Sequence, residues 1–194
     1  MPTKKPKLYL SGDPEADALI SRDAFALLMG MVLDQQIPLE RAFAAPAVLV
    51  TRLGKPLDAR AIAGMDSEEF AAAFRQQPAL HRFPGSMAGR VQDVARIVVD
   101  EYGGDAAKIW KTAKTGDELL KRVEALPGFG KQKAKIFLAL LGKQMGVEPP
   151  GWREASAPFG KAGSRMSIAD IDSAETLASV RDHKRQMKAA AKAK

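Results

Sequence analysis

The chain of 194 residues has no cysteine and only two histidines. Without cysteine it can form neither a disulfide bond nor a cysteine-ligated zinc site. The two histidines are not spaced as metal ligands, so we expect no metal site built from side chains and no cofactor. No apolar run is long enough to span a bilayer, and no apolar signal core follows the N-terminal lysines. We therefore expect a cytoplasmic protein, associated with the nucleoid if bacterial, without a membrane partner.

The sequence also lacks the alternating pattern of a β-strand and any internal repeat. Apolar residues instead recur at helical spacing, and a hydrophobic content of 46% supports a real core. We predict an all-α domain over residues 8–178, preceded by a short basic arm over residues 1–7. Helices are predicted over residues 15–20, 23–36, 39–53 with an interruption near Pro46, 58–64, 66–74, 91–102, 106–113, 117–125, 134–141 and 167–178, with an irregular segment over 147–163.

Positive charge is in excess, with a formal net charge of +7 and a sequence pI of about 9.7. This balance favours polyanionic partners. Residues 180–194 supply much of the excess and are rich in lysine and alanine. We predict a flexible, solvated tail there, as a frayed helix or as disordered chain. A nonspecific DNA-binding arm is the alternative.

The most informative stretch is LPGFGKQKA at residues 126–134, between two predicted helices. Gly128 and Gly130 permit backbone conformations that side chains forbid and leave bare N–H groups at the start of the second helix. These amides and the positive end of the helix dipole suit a phosphate oxygen, and Lys131, Lys133 and Lys135 add positive charge. An ordinary helix–helix turn is the alternative interpretation.

This stretch resembles the helix-hairpin-helix of the HhH-GPD superfamily of base-excision DNA glycosylases. Residues 25–36, which end in paired glutamines, and residues 86–104, which begin SMAGR, resemble the family's preceding helices. The similar segments span residues 23–142 in family order. The resemblance implies a two-lobed all-α fold, a hairpin over 117–142 that grips double-stranded DNA, and a monovalent cation at the carbonyls of 126–130. We expect a monomer. Without cysteine, the iron–sulfur cluster of some relatives is excluded.

The resemblance further implies which residues meet DNA. Gln36 lies where the family inserts a side chain into the duplex, and for Gln35 we prefer a polar helix end. The expected DNA contacts are Gly128, Gly130, Lys131, Lys133, Gln36 and Arg90. A loop cluster of His81, Arg82 and Phe83 could also touch a phosphate.

The catalytic positions depart from the family pattern. Gln132 stands where bifunctional members carry a nucleophilic lysine, and an amide cannot form a Schiff base. Pro150 falls closest to the position of the family's aspartate. Glu148 is our first candidate for the missing acid and Asp34 the second, although Asp34 could be a plain surface residue. Trp152 could stack on a base or anchor a proline-rich loop in the core.

We therefore predict a monofunctional DNA N-glycosylase that removes a damaged or modified base. The competing hypothesis is a noncatalytic helix-hairpin-helix module that binds DNA or another protein. The missing aspartate favours the second hypothesis, whereas the order of three family-like segments favours the first.

Overall fold

The computed structural model describes residues 7–194, so the predicted basic arm lies outside the described residues except for Lys7. Within that range the chain forms α-helices and one 3₁₀ turn, with no strand, as the sequence predicts. The helices are α1 (Pro14–Arg22), α2 (Ala24–Leu33), α3 (Leu39–Leu53), α4 (Ala59–Gly64), α5 (Ser67–Arg75), α6 (Pro84–Tyr102), α7 (Lys108–Lys111), α8 (Gly116–Glu124), α9 (Lys131–Met145), α10 (Trp152–Ala155) and α11 (Ala174–Lys192), with the 3₁₀ turn at Ile168–Asp170.

Aspartate side chains begin four of the first five helices. Asp13, Asp23, Asp58 and Asp66 each accept hydrogen bonds from amides in the first turn of the helix that follows. Such caps satisfy amides that have no helical acceptor. The predicted interruption near Pro46 is wrong, since α3 continues through that residue. Pro46 is buried, and the packing of this amphipathic helix outweighs the lost N–H.

The helices form two groups, which confirms the two-lobed architecture. Helices α1 to α6 pack on one another, and α7 to α11 pack on one another around the 3₁₀ turn. A continuous hydrophobic core runs through both groups. Leu8 and Leu10, which precede α1, are buried in it, and the Asp17 carboxylate accepts the N–H of Leu10 at 3.1 Å.

Two segments beyond α9 differ from the sequence predictions. The helix predicted over residues 167–178 is wrong at its start, where the 3₁₀ turn at Ile168–Asp170 precedes α11. The segment before α11 is fixed to α9 by the ion pair between Lys143 and buried Asp170, at 2.5 Å. The predicted tail is helical to Lys192, because residues 180–192 continue α11 with exposed side chains beyond Val180. Arg181 forms an ion pair with Glu40 at the start of α3. Of the two forms predicted for this segment, the structure shows the helical one.

No helix among the described residues is both long and apolar enough to cross a bilayer.

Candidate DNA interface and active site

The hairpin joins α8 to α9 through a turn in which its two glycines differ. Gly128 has a φ of +89°, in the left-handed region that side chains rarely adopt. A Cβ atom there would also lie 2.9 Å from Cδ of Arg90, which places Arg90 of α6 directly under the turn. Gly130 has an ordinary φ of −78°, and a Cβ atom there would meet nothing within 4 Å. The prediction that the backbone needs glycine is therefore confirmed at Gly128. It is wrong at Gly130, where the backbone is ordinary and a side chain would meet no neighbour.

Bare amides begin α9, as the sequence predicts. Gly130 is the N-cap and supplies no capping side chain. The first bond of the helix runs from the Ala134 N–H to the Gly130 carbonyl at 2.9 Å. The amides of Lys131, Gln132 and Lys133 come before that bond and have no acceptor within the helix. The side chains of Lys131 and Gln132 are exposed beside these amides.

Lys133 turns inward, which the sequence does not predict. Its Nζ donates a hydrogen bond to the Val32 carbonyl in the last turn of α2, at 3.2 Å, and lies 5.6 Å from the centre of the Phe129 ring. This ammonium group is therefore directed to the junction between α2 and the hairpin. The structure thus assigns the two lysines different surroundings, with Lys131 in solvent and Lys133 in the protein.

The end of α2 separates the paired glutamines. The side-chain amide of Gln35 donates to the Val32 carbonyl at 3.0 Å and reaches the Met87 sulfur at 3.6 Å. Gln35 is therefore a polar helix end, which is the interpretation that we prefer from the sequence. Gln36 is exposed and has a φ of +57°. Among the described residues it is the one non-glycine residue with a positive φ. Such backbone strain persists only where the surroundings impose it, and it often marks functional positions.

His81 explains how this strained turn is held. Only 1% of the residue is exposed, and its Nε2 lies 2.9 Å from the Gln35 carbonyl and 3.2 Å from the Leu33 carbonyl. Its Nδ1 accepts the N–H of Phe83 at 3.0 Å. Two carbonyl acceptors require a proton on Nε2, so the ring is the neutral Nε2–H tautomer. The prediction that His81 contacts phosphate is therefore wrong, although Arg82 and Phe83 remain exposed.

Asp34 caps the C-terminus of α2 and lies within electrostatic range of Lys133 and of Lys184 on α11. Burial raises the pKa of the Asp34 carboxyl above its ordinary value, and the two lysines oppose that rise. Burial lowers the pKa of Lys133 to about 8, and the charge of Asp34 opposes that fall. A partly buried acid and a partly buried amine thus stabilise each other's charges beside the hairpin, which makes Asp34 more than a plain surface residue.

Glu148 is exposed and lies beyond the other end of α9, where it shares a hollow with Lys143 and Gln144. Lys133 and Met145 are separated by about 18 Å along α9, at a rise of about 1.5 Å per residue. Of the two candidate acids, the structure brings Asp34 and not Glu148 to the junction of α2 and the hairpin.

Trp152 is only 7% exposed. Its ring covers Gly142, where a Cβ atom would lie 2.3 Å from the ring, and the Arg153 guanidinium lies 4.3 Å from the ring centre. Little of the indole is therefore open to solvent. The structure supports the core-anchor alternative for Trp152 and leaves no open face for a base.

Comparison with protein families resolves which superfamily this hairpin belongs to. The sequence model described as HhH-GPD superfamily base excision DNA repair protein matches residues 29–193. The chain belongs to the HhH-GPD superfamily. No curated protein and no solved structure matches it significantly. HhH-GPD membership implies DNA binding and a glycosylase-like role in base excision repair, as the sequence predicts.

The sequence names Lys133 and His81 for other contacts and gives no signal for Lys184. Lys131 and Lys133 look alike in the sequence, although residues two positions apart on a helix point about 200° apart. His81 carried no recognisable pattern, since its partners are main-chain carbonyls 46 and 48 positions away. Lys184 was indistinguishable from the other lysines of the basic segment.

Proposed function

We propose that this protein is a monofunctional DNA N-glycosylase in which Asp34 supplies the catalytic carboxylate. The proposal depends on one observation above all: Asp34 lies at the junction of α2 and the hairpin, beside Lys133, on the turn that ends in Gln36. In this superfamily a carboxylate stabilises the positive charge that develops on the sugar. The sequence has no carboxylate at the family's position for it, where Pro150 stands.

DNA would be held by the hairpin. The open surface at Gly130 lets a phosphate approach the bare amides of α9, and exposed Lys131 adds charge beside them. Arg90 supports the turn from beneath Gly128 and adds a second positive charge. A monovalent cation at the carbonyls of residues 126–130 would strengthen the same contact. The Leu126 carbonyl accepts the Phe129 N–H at 3.2 Å and retains a second lone pair for such an ion.

Gln36 would fill the gap that the extruded nucleotide leaves. Its exposed side chain is uncharged and can donate and accept hydrogen bonds with the orphaned base. The left-handed turn directs the residue away from the helix, and His81 holds that turn by binding the Gln35 carbonyl. A wedge needs such preorganisation, because a mobile side chain would lose conformational entropy on insertion.

In the reaction, the bond between C1′ and the base nitrogen breaks and its electron pair leaves with the base. The Asp34 carboxylate stabilises the positive charge on the sugar and accepts a proton from the water that attacks C1′. The departing base takes up a proton from water, Asp34 returns its proton to solvent, and the products are a free base and an abasic sugar. Burial beside Lys133 keeps the carboxylate in a poorly solvated place, where its field is stronger than in water.

Lys133 would position Asp34 rather than attack the sugar. Its Nζ donates to the Val32 carbonyl, so the amine is directed to the end of α2. Together with Gln132 at the family's lysine position, this supports hydrolysis by water without strand cleavage.

The test is single-turnover incubation with duplexes that carry uracil, hypoxanthine, oxidised purines or alkylated purines, followed by alkali to cleave abasic sites. We expect release of at least one of these bases at neutral pH. DNA binding without release of any base would favour the noncatalytic DNA-binding alternative. A protein that binds no duplex and instead retains an acidic protein partner would favour the interaction-module alternative.

A further inference from the structure

A pocket of about 520 Å³ lies between the start of α9, the segment around residues 159–166 and the exposed half of α11. Its volume is within the range of about 300–1,000 Å³ that small-molecule sites occupy. Four apolar side chains form much of its wall: Ile136, Phe159, Met166 and Met187. Met187 is 59% exposed, one of the few large apolar side chains that the described residues leave open to solvent.

Two residues that line the pocket relate it to the proposed catalytic junction. Gln132, on its rim, is the residue before Lys133 and stands at the family's catalytic-lysine position. Lys184, which also lines the pocket, opposes the rise in the pKa of the Asp34 carboxyl that burial causes. The lining thus includes the residue next to Lys133 and a lysine whose charge acts on Asp34, the proposed catalytic acid.

The described side chains that line the pocket carry positive charge and no negative charge. Lys184, Arg185 and Lys188 all border the pocket, and among the described residues that line it none carries a carboxylate. A cationic ligand would be repelled here, whereas a ligand with electron-rich oxygens would be attracted. Gln132 can donate a hydrogen bond to such an oxygen or accept one from a ring N–H.

We propose that this pocket receives the extruded base, and that it selects neutral bases carrying ring carbonyl oxygens, such as deaminated or oxidised bases, over positively charged N-alkylpurines. The inference rests on the proposed glycosylase function and makes it more specific. Apolar side chains contact the faces of the heterocycle, while Gln132 and the lysines of α11 contact its edge. The predicted solvated tail thereby becomes one wall of the substrate site.

The chemistry of departure supports the same class. When the glycosidic bond breaks, a neutral base leaves with negative charge, which a ring carbonyl spreads onto its oxygen. Lysine ammonium groups around the pocket stabilise that charge as it develops. A cationic N-alkylpurine leaves as a neutral molecule and gains nothing from these lysines, yet it must first overcome their repulsion.

The experiment measures binding to duplexes that the enzyme cannot cleave. Duplexes would carry 2′-fluoro nucleotides of uracil, hypoxanthine or 7-methylguanine, because the fluorine suppresses positive charge on the sugar. Fluorescence anisotropy would compare each with an unmodified duplex and with a tetrahydrofuran abasic duplex. We expect uracil or hypoxanthine to tighten binding about tenfold, within the usual range for discrimination at one base pair. We expect 7-methylguanine not to tighten it.

Two charge reversals on α11 provide a matched pair. Lys188→Glu changes a pocket residue, whereas Lys192→Glu makes the same change in an exposed residue that does not line the pocket. Lys188→Glu should remove the preference for uracil or hypoxanthine and tighten binding of 7-methylguanine. Lys192→Glu should weaken binding to every duplex alike. Affinity for the abasic duplex, which brings no base to the pocket, should be equal in the two variants.

Any of three binding results would overturn the assignment. They are tighter binding of 7-methylguanine than of uracil and hypoxanthine by wild type, no gain over unmodified DNA for any of them, and equal loss of preference in both variants. A dimer in light scattering that Met187→Glu dissociates would assign the pocket to a second copy and also overturn it. Release of alkylated bases would leave the glycosylase proposal standing while this inference fails. Base-selective binding without release of any base would support this inference and contradict the glycosylase proposal.

Discussion

The Nζ of Lys133 and the main-chain carbonyl of Val32 form a 3.2 Å hydrogen bond that joins the hairpin helix to the last turn of α2. The same carbonyl accepts a hydrogen bond from the side-chain amide of Gln35 at 3.0 Å. One oxygen atom thus holds both the hairpin and the turn that presents Asp34 and Gln36. This arrangement sets the distance between the proposed DNA grip and the proposed catalytic acid.

Replacement of Asp34 by asparagine should abolish base release while DNA affinity changes little. The amide preserves the shape of the side chain but cannot accept a proton from water or stabilise a sugar cation. We expect a loss of about 10²-fold or more in single-turnover rate. Glu148→Gln is the matched control, because it removes the other candidate carboxylate beyond the far end of α9. Full activity in Asp34→Asn would show that another group is the acid.

Replacement by valine should lower stability at Gly128 and DNA affinity at Gly130. Gly128→Val forces a branched residue to a φ of +89° and against Arg90, which should cost about 1–3 kcal/mol and several degrees of Tm. Gly130→Val meets no neighbour and should leave Tm nearly unchanged. It should still weaken binding to every duplex, roughly tenfold, by blocking the amides from phosphate. Unchanged affinity in Gly130→Val would place the DNA contact elsewhere.

Lys131→Ala should reduce by about one unit the slope of log affinity against log salt concentration. The effect should be independent of sequence, since phosphate contacts carry no base information. Lys121→Ala on α8 removes a lysine of equal charge and exposure outside the hairpin turn and serves as the control. Equal slopes for the two variants would indicate that only net charge matters.

The stability of wild type relative to Lys133→Met should rise between pH 8 and pH 10. The pKa of Lys133 is about 8 in the folded protein and near its ordinary 10.5 in the unfolded chain. Across this interval the unfolded chain binds more protons, so rising pH favours the folded state. Denaturant titrations should reveal a gain on the order of 1–3 kcal/mol. No change in the difference between the two proteins would show that the ammonium is not desolvated.

His81 should confer stability that acid removes. Burial lowers its pKa below 6.5, the ordinary value expected in the unfolded chain. The neutral ring therefore contributes stability that is fully present above about pH 6.5 and is lost as pH falls through the lower folded pKa. His81→Phe should cost about 1–3 kcal/mol by leaving two carbonyls without their donor. It should also flatten the acid dependence of the free energy of unfolding between pH 4 and 7.

Local chemistry explains how much could be predicted from the sequence alone. Apolar residues at helical spacing, aspartate caps such as Asp13, and the LPGFG turn determine helices and their boundaries through contacts between near neighbours. The same local pattern identified the hairpin and its superfamily, and it distinguished Gln36 from Gln35. These features depend on residues a few positions apart, so they can be recognised from the sequence without the fold.

Tertiary structure decided everything that depends on distant neighbours. It directed Lys133 to Val32, 101 positions away, and His81 to the carbonyls of Leu33 and Gln35. It moved the leading candidate acid from Glu148 to Asp34 and brought the basic helix α11 beside it. Burial, and with it the pKa of a lysine or an aspartate, arises from packing between segments remote in sequence. The sequence therefore determined the helices and the family, while packing decided which charged side chains meet at the site.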